Sequence, residues 1–228
     1  MERELLVIFL SINVLYIQLW SHQDSVIISL GRRCDVAHHL RNFKLREEAF
    51  PFDWIILPFD SLCSLLLNDF EDFLDKDNLC FKNGPYADDY GFFKVRSYPH
   101  VYDTKYQILF RNDFPLNKNF MSEYDEIMEK FQRRIKRLYD TLQSEKFVYF
   151  IRRVITKEQA RLFTRIIEEK FPNLDFVLVA LDSTEEIKDD WALPRVINYY
   201  ISISNPYIRS ISVPVYKKLF KDLGFLSA

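Results

Sequence analysis

The amino-acid sequence predicts an α/β fold: a mostly parallel, open β-sheet covered by helices on both faces, in a Rossmann-like three-layer arrangement. Two observations carry this prediction. In the second half of the chain, strands and helices alternate with short connections, which is the pattern of strand–helix–strand units. Four apolar runs also resemble strands buried on both faces, as in parallel sheets. These runs are Ser25–Leu30, Lys146–Ile151, Asp175–Leu181 and Arg195–Ile201.

The N-terminal segment, residues 1–24, is hydrophobic and stands apart from the single domain predicted over residues 25–228. No charged residue occurs from Leu5 to Gln23. The apolar run over residues 5–20 is shorter than the roughly 20 residues of a membrane-spanning helix. The residues before it lack the basic charge that begins a signal peptide. The segment is therefore a membrane anchor, an uncleaved signal, a buried first element or a start site placed too far upstream. The domain is accordingly either cytoplasmic or held at a membrane.

The first half of the predicted domain contains shorter elements. Apolar residues at helical spacing predict a helix over Arg33–Phe43 and two short helices over Asp60–Asn68 and Asp69–Leu74. A polar, turn-rich stretch over Asp75–Tyr90 predicts a surface loop. A small antiparallel meander is expected next, inserted before the second parallel strand. Its strands are Phe92–Val95, Val101–Thr104 and Tyr106–Arg111.

The second half of the chain contains stronger helix signals. Ser122 is the predicted cap of a long amphipathic helix, and Thr156 with Gln159 matches the capping-box pattern that opens a helix. The predicted helices are Ser122–Gln143, Thr156–Lys170, a short acidic helix over Thr184–Trp191 and Val213–Leu223.

Composition excludes several functional classes. The formal net charge is −2, so nucleic acid is not expected as a partner. The chain has 4 glycines and neither GxGxxG nor a P-loop pattern, which argues against a glycine-rich nucleotide loop. Its 3 cysteines, Cys34, Cys63 and Cys80, have no metal-ligand spacing. We therefore predict no metal site, no disulfide framework and no cofactor.

Polar residues follow each predicted parallel strand. Ligands of open parallel sheets bind beyond the carboxyl ends of the strands, so these residues would meet at one edge. Arginine binds phosphate and carboxylate in a bidentate manner, so four arginines there suggest an anion pocket. The alternative is four separate surface arginines. The candidate ligand-binding residues are Gly31, Arg32, Arg33, Arg152, Arg153 and Asp182.

Cys34 is the candidate nucleophile. It lies in the first turn of a predicted helix, where main-chain amides, the helix dipole and neighbouring arginines favour the thiolate. The alternative is a small thiol that packs under the sheet. A thiol nucleophile needs a base. That base would be His100, which begins a predicted strand, or His38, which lies one helical turn from Cys34.

Asp53 lies inside the largely apolar stretch Phe50–Ile56. A carboxylate in such surroundings must be paired or hydrogen-bonded. Arg32, Arg41 or Arg46 is the natural partner. Asp53 is thus either half of a structural ion pair or a residue of the site.

The spacing of these residues resembles a family of unknown function described as papain-like cysteine peptidases. The matching blocks are Ser29-Leu30-Gly31-x-x-Cys34-x-x-Ala37-x-x-Leu40-Arg41, Leu45-Arg46, Pro51-Phe52-Asp53-Trp54, Asp113-Phe114-Pro115, Arg133-Arg134-Ile135 and Phe150-Ile151-Arg152-Arg153. The resemblance implies that Cys34 is the nucleophile, and Asp113 or Asp53 would orient the base.

Two features depart from that family pattern. Relatives read His-Asp-Phe-Pro where this chain reads Asn112-Asp113-Phe114-Pro115. Asparagine cannot take up a proton at physiological pH. Asn112 is a candidate ligand-binding residue. Either His100 supplies the base, or the chain is inactive, or the description as a peptidase does not apply to it. A papain-type fold also pairs a helical lobe with an antiparallel β lobe, whereas the strand pattern here predicts a parallel sheet.

Three functions remain open at this point. The first is a cysteine hydrolase or acyl transferase acting on a peptide or a small molecule. The second is a transferase whose arginines bind a phosphorylated donor such as a nucleotide-sugar, with Asp53 or Asp182 acting on the acceptor. The third is a catalytically inactive binding module, tethered to a membrane through residues 5–20.

Overall fold

The computed structural model describes residues 25–84, 98–110, 112–115, 119–181, 191–201 and 209–227. Strands and α-helices occur within these ranges in the following order: β1 (Ser25–Ser29), α1 (Asp35–Asn42), β2 (Ile55–Ile56), α2 (Phe59–Leu67), β3 (Leu79–Gly84), β4 (Tyr98–Asp103), β5 (Ile108–Phe110), α3 (Tyr124–Leu142), β6 (Phe147–Arg153), α4 (Lys157–Lys170), β7 (Phe176–Leu181), β8 (Val196–Tyr199) and α5 (Arg209–Asp222).

The main sheet is parallel and has the strand order β1-β6-β7-β8. Side chains alternate between the two faces of each strand. In β6, Val148 and Phe150 pack in a core with α2, α3 and α4, whereas Tyr149 and Ile151 pack with α1 and α5 on the other face. A parallel sheet with helices on both faces confirms the predicted fold class.

A second sheet is antiparallel, with the strand order β2-β5-β4-β3, and it is inserted between β1 and β6. It confirms the predicted small antiparallel insertion. Its strand β3 lies where the sequence predicted a surface loop. Lys82 and Asn83 are polar, so composition indicates a loop, but both residues pair with β4 through the main chain. The predicted strand Phe92–Val95 lies outside the described residues.

The predicted helix over Asp69–Leu74 is wrong. Four of its residues have left-handed backbone conformations, with φ of 51° at Asp69, 60° at Phe70, 55° at Asp72 and 63° at Leu74. Phe70 stacks on Phe52 with ring centroids 5.5 Å apart. The segment is therefore a series of turns that place aromatic rings in the core.

One of the two predicted helix caps is present. Thr156 Oγ1 accepts a hydrogen bond from Gln159 N (3.2 Å), and Gln159 Oε1 accepts one from Thr156 N (3.1 Å), which completes the predicted capping box of α4. Ser122 is not the cap of α3. It lies in a short 3₁₀ helix over Phe120–Glu123, and α3 begins at Tyr124.

Some predictions fall outside the described residues: the N-terminal segment, residues 1–24, and nearly all of the acidic helix predicted near residue 184. Among the helices that the structure does describe, none is both long and apolar enough to cross a bilayer. The boundaries of the predicted domain stay a prediction.

The turn that follows β1 requires glycine at position 31. Gly31 has a φ of 72°, in the left-handed region that favours glycine. A β-carbon at Gly31 would collide with the Leu57 side chain and lie 3.3 Å from the carbonyl oxygen of Phe52. Arg32 follows with a φ of 73°. The turn therefore brings the end of β1 against the segment that leads into α2.

We predict that Gly31→Ala lowers the free energy of unfolding by about 1–3 kcal/mol, because it adds left-handed strain and displaces Leu57. Urea denaturation followed by circular dichroism measures this loss. Gly224→Ala is the matched control, since Gly224 also has a positive φ (79°) but is exposed. Equal losses in the two variants would contradict the importance of the contact with Leu57.

Candidate functional site

The candidate site lies where β1 and β6 end and where α1, α2 and α4 begin. β1 runs parallel to β6, so both strands deliver their carboxyl ends to the same edge of the sheet. The α2 segment reaches this edge because its leading residue Leu57 packs on the turn at Gly31. Such an edge is where open parallel sheets bind ligands.

Arg152 is the central cation of this edge and is 1% exposed. Its Nη1 donates a hydrogen bond to the carbonyl oxygen of Leu30 (2.6 Å), and its Nη2 donates one to that of Leu57 (3.2 Å). The guanidinium carbon lies 5.6 Å from the centroid of the Phe59 ring. One side chain thus joins the end of β1, the end of β6 and the start of α2 in a fixed geometry.

A cavity of about 130 Å³ opens beside Arg152. Arg32, which is 4% exposed, lines it from the turn after β1. The remaining lining comes from the first turns of α2 and α4 and from the loop after β6. It includes Phe59, Asp60, Val154 and Gln159. Two of the four predicted anion-binding arginines therefore share one cavity.

Arg153 points to the opposite face of the sheet. Successive side chains of a strand alternate, so the neighbours Arg152 and Arg153 cannot share a face. Arg153 Nη1 donates a hydrogen bond to Asp35 Oδ2 at 2.7 Å, and the Tyr216 hydroxyl donates one to the same oxygen at 2.8 Å. Burial raises the pKa of Asp35, but the charge and hydrogen bond of Arg153, with smaller contributions from Tyr216 and Arg33, lower it overall.

Cys34 is half-buried at the amino end of α1, directly before Asp35. None of the three cysteines forms a disulfide. Cys63 is buried in α2, and that burial raises the pKa of its thiol to about 12, so it stays protonated near neutral pH. Cys80 is half-buried in β3. Position on a helix end therefore distinguishes Cys34 from the other two thiols.

The histidines near Cys34 in the sequence and the candidate base His100 occupy different environments. His39 stacks on Tyr216 with ring centroids 4.1 Å apart, and burial with the charge of His38 lowers the pKa of His39 to about 4. The His38 ring lies 2.9 Å from the Asn42 side chain. His100 is buried in β4, on the face of that strand opposite to the one that places Val101 in the core. Catalytic pairing of His100 with Cys34 stays a prediction.

Asp53 forms a buried ion pair with Arg46, one of the three partners considered from the sequence. Asp53 Oδ2 also accepts a hydrogen bond from Phe50 N at 2.7 Å. Arg46 Nη2 donates to the carbonyl oxygen of Ala37 in the first turns of α1, at 3.3 Å. Burial, with the charges of Arg134 and Arg41, lowers the pKa of Arg46 to about 10. The pair therefore fixes the loop before β2 against α1.

Asp113 also pairs with cations, which come from α3. Its carboxylate lies 2.8 Å from Lys130 Nζ and 3.7 Å from Arg134 Nη1, both in α3, and the side chain is 4% exposed. The preceding residue, Asn112, is exposed. These contacts hold residue 112 at the surface beside α3.

Five lining residues of the cavity were absent from the sequence-based prediction: Pro58, Phe59, Asp60, Val154 and Gln159. The sequence did contain a signal for Gln159, because a capping box marks the first turn of a helix, and that turn follows a parallel strand. Asp182 lies outside the described residues. The described part of the chain contains no group of three or more histidine, cysteine, aspartate or glutamate side chains that could hold a metal ion.

We predict that Asp35→Asn lowers the free energy of unfolding at neutral pH by about 3–5 kcal/mol, because it leaves Arg153 buried without its carboxylate. The folded-state pKa of Asp35 is below its ordinary 3.8, so the stabilisation is present above that value and is lost as pH falls through the lowered pKa. Urea denaturation from neutral pH to below about 4 measures the difference from wild type, which should shrink.

The control for this prediction is Asp140→Asn, which breaks the exposed pair between Asp140 and Lys136. It should change stability by about 0.3–0.5 kcal/mol. A loss in Asp35→Asn no larger than the control, or one that does not change with pH, would contradict the buried pair's role.

Comparison with known proteins adds the family of the chain. The chain is 30% identical over 137 residues to the uncharacterized protein R408 of Acanthamoeba polyphaga mimivirus, a match that covers 57% of this chain and 61% of that protein. No solved structure matches the chain. A family model described as "Putative papain-like cysteine peptidase" matches residues 25–185. Because that match covers well over half of the chain, the protein belongs to this family, as the spacing of its motifs predicted.

Proposed function

We propose that the protein is a hydrolase or acyl transferase that uses Cys34 as its nucleophile. The single observation that carries this proposal is the position of Cys34, half-buried at the amino end of α1 and at the carboxyl edge of the parallel sheet. Helix amino ends lower the pKa of thiols and stabilise thiolates. Family membership supports the same chemistry.

In the proposed reaction, the Cys34 thiolate attacks the carbonyl carbon of an ester, thioester or amide. Main-chain amides of the first turn of α1 donate hydrogen bonds to the developing oxyanion. The carbon–leaving group bond then breaks, and the leaving group takes the proton that the thiol lost to a base. Water, or an acceptor in a transfer reaction, finally attacks the thioester and regenerates Cys34.

The buried groups around α1 suit such a role because they fix its start. Asp35 is held by Arg153 and Tyr216, and Ala37 is held by Arg46. Asp35, the residue after the nucleophile, is thus fixed by buried partners, while Cys34 itself is only half-buried. A catalytic group held by packed and hydrogen-bonded neighbours is the arrangement that precise positioning requires.

The proton acceptor in this proposal is His100 or a water. Residue 112 is the position where relatives would supply a histidine. A series of contacts and charges leads from it towards α1: Asp113 pairs with Arg134, the charge of Arg134 acts on Arg46, and Arg46 bonds to Ala37. These contacts connect the segment of Asn112 to α1, and in this proposal Asn112 occupies the place of a former base.

We predict that iodoacetamide labels Cys34 much faster than Cys63 near neutral pH. The Cys63 thiol is buried, and its pKa of about 12 leaves little thiolate. Peptide mass spectrometry over a time course measures the rate at each cysteine. Cys80→Ser is the matched control and should leave the Cys34 rate unchanged. Labelling of Cys34 no faster than that of a small model thiol would remove the proposed nucleophile.

We further predict that Asn112→His increases hydrolysis of a simple activated ester, p-nitrophenyl acetate, about a hundredfold, the lower range of general base catalysis. The gain should appear as pH rises through the histidine pKa of about 6.5. Asn112→Ala controls for loss of the amide, and Asn112→His combined with Cys34→Ser should lose the gain. Equal rates for Asn112→His and Asn112→Ala would show that residue 112 does not serve the thiol.

A transferase acting on a phosphorylated donor is the second candidate, because Arg32 and Arg152 line the same cavity. Under that function Cys34 is only a packing residue, and Cys34→Ala keeps full biological activity. Under the first function the same variant is inactive. This substitution therefore separates the two candidates.

A further inference from the structure

We propose that the cavity at the carboxyl ends of β1 and β6 binds the phosphoryl group of a small phosphate monoester through Arg32 and Arg152. Both arginines line this cavity, and they are 4% and 1% exposed. Two buried cations on neighbouring segments, set against the one carboxylate of Asp60, give the lining a net positive charge. Arginine is the residue best matched to phosphate, because its planar donors bind two oxygens at once.

The guanidinium group of Arg152 is fixed before any ligand binds. Its hydrogen bonds to the carbonyl oxygens of Leu30 and Leu57, together with the ring of Phe59, set its plane. A ligand therefore meets an ordered donor and does not have to immobilise a flexible side chain, which is a major cost of binding.

Two helices begin at the cavity and add to its positive character. Phe59 and Asp60 open α2, which has 9 residues, and Gln159 lies in the first turn of α4, which has 14. The first amides of a helix have no partner within the helix, and its dipole favours anions there. The helix ends and the two buried arginines therefore both favour an anion in the cavity.

The size of the cavity limits what it can enclose. Its volume is about 130 Å³. That is below the roughly 300–1,000 Å³ of pockets that bury a whole drug-sized ligand. The cavity can therefore enclose a phosphoryl group but not a nucleotide, and the rest of the ligand would lie outside it.

Asp60 restricts the ligand further. Asp60 is the acidic residue of the cavity lining, and it is exposed. A second phosphate at that position would meet like charge, whereas a hydroxyl group could donate a hydrogen bond to it. A phosphate monoester that carries hydroxyl groups fits this arrangement better than a pyrophosphate does.

Phosphoryl binding goes beyond the proposed thiol chemistry and does not depend on it. Arg32 lies two residues before Cys34 in the same turn. That the bound phosphate would anchor a substrate for attack by Cys34 rests on the proposed function, whereas binding itself does not.

Isothermal titration of the full chain with glycerol 3-phosphate, and separately with inorganic phosphate, tests this proposal at constant ionic strength. We expect saturable binding of both ligands. Arg32→Gln should weaken binding about tenfold, equivalent to about 1.4 kcal/mol. Arg161→Gln is the matched control, because it removes one exposed arginine of α4 that does not line the cavity, and it should bind like wild type.

Gln159→Glu gives a second test that spares the fold. Glutamate satisfies a capping box as well as glutamine does, so α4 should keep its stability while the cavity gains a negative charge. We expect binding to be lost in a variant whose melting temperature is unchanged. This variant also keeps the proposal testable if Arg32→Gln does not fold.

Three outcomes would overturn the proposal: no saturable binding to wild type, equal binding by wild type and Gln159→Glu, or tighter binding of succinate or pyrophosphate than of glycerol 3-phosphate. Cys34→Ser separates this proposal from the proposed function. Its retained phosphate binding would support the cavity even if thiol chemistry fails, and unreactive Cys34 in wild type would leave the binding result standing.

Discussion

The candidate edge depends on one buried cation that bonds to main-chain oxygens. Placing a guanidinium at 1% exposure removes it from water, which is costly unless hydrogen bonds replace the lost hydration. Arg152 obtains them from the carbonyl groups of Leu30 and Leu57, which lie just after β1 and just before α2. The same bonds satisfy two main-chain acceptors and hold three segments together. These two hydrogen bonds of Arg152 hold the turn at Gly31 close to Leu57.

The pleat of β6 gives its two terminal arginines different tasks. Arg152 stays on the face of α2 and α4, where it lines the cavity, whereas Arg153 reaches the face of α1 and α5. There it meets Asp35 and Tyr216, so it joins the first turn of α1 to α5 through one carboxylate. Because Cys34 directly precedes Asp35, the position of the thiol is set by an ion pair on the side of the sheet away from the cavity.

The sequence predicted those features that local pattern determines. The parallel sheet was predictable because its strands are continuous apolar runs, and the capping box of α4 because Thr156 and Gln159 lie in one helical turn. The segment Asp69–Leu74 has helical spacing, yet Phe70 and Phe73 form turns, since their rings pack on residues distant in sequence such as Phe52 and Phe131. The prediction that four arginines form one pocket was incomplete, because only Arg32 and Arg152 line the cavity. Strand order places residues at an edge, but the pleat decides which face each one takes.

The blocks that define the family therefore have two kinds of role. Most of their charged residues are partners in buried or partly buried pairs: Arg46 with Asp53, Asp113 with Lys130 and Arg134, and Arg153 with Asp35. Losing one member of such a pair leaves a buried charge without compensation, so the physical penalty falls on folding, whatever reaction the chain performs. Cys34 is half-buried and Asn112 exposed, and neither belongs to these pairs. A substitution at residue 112 therefore removes no partner of these pairs, and the chain matches the family over residues 25–185 with an asparagine there.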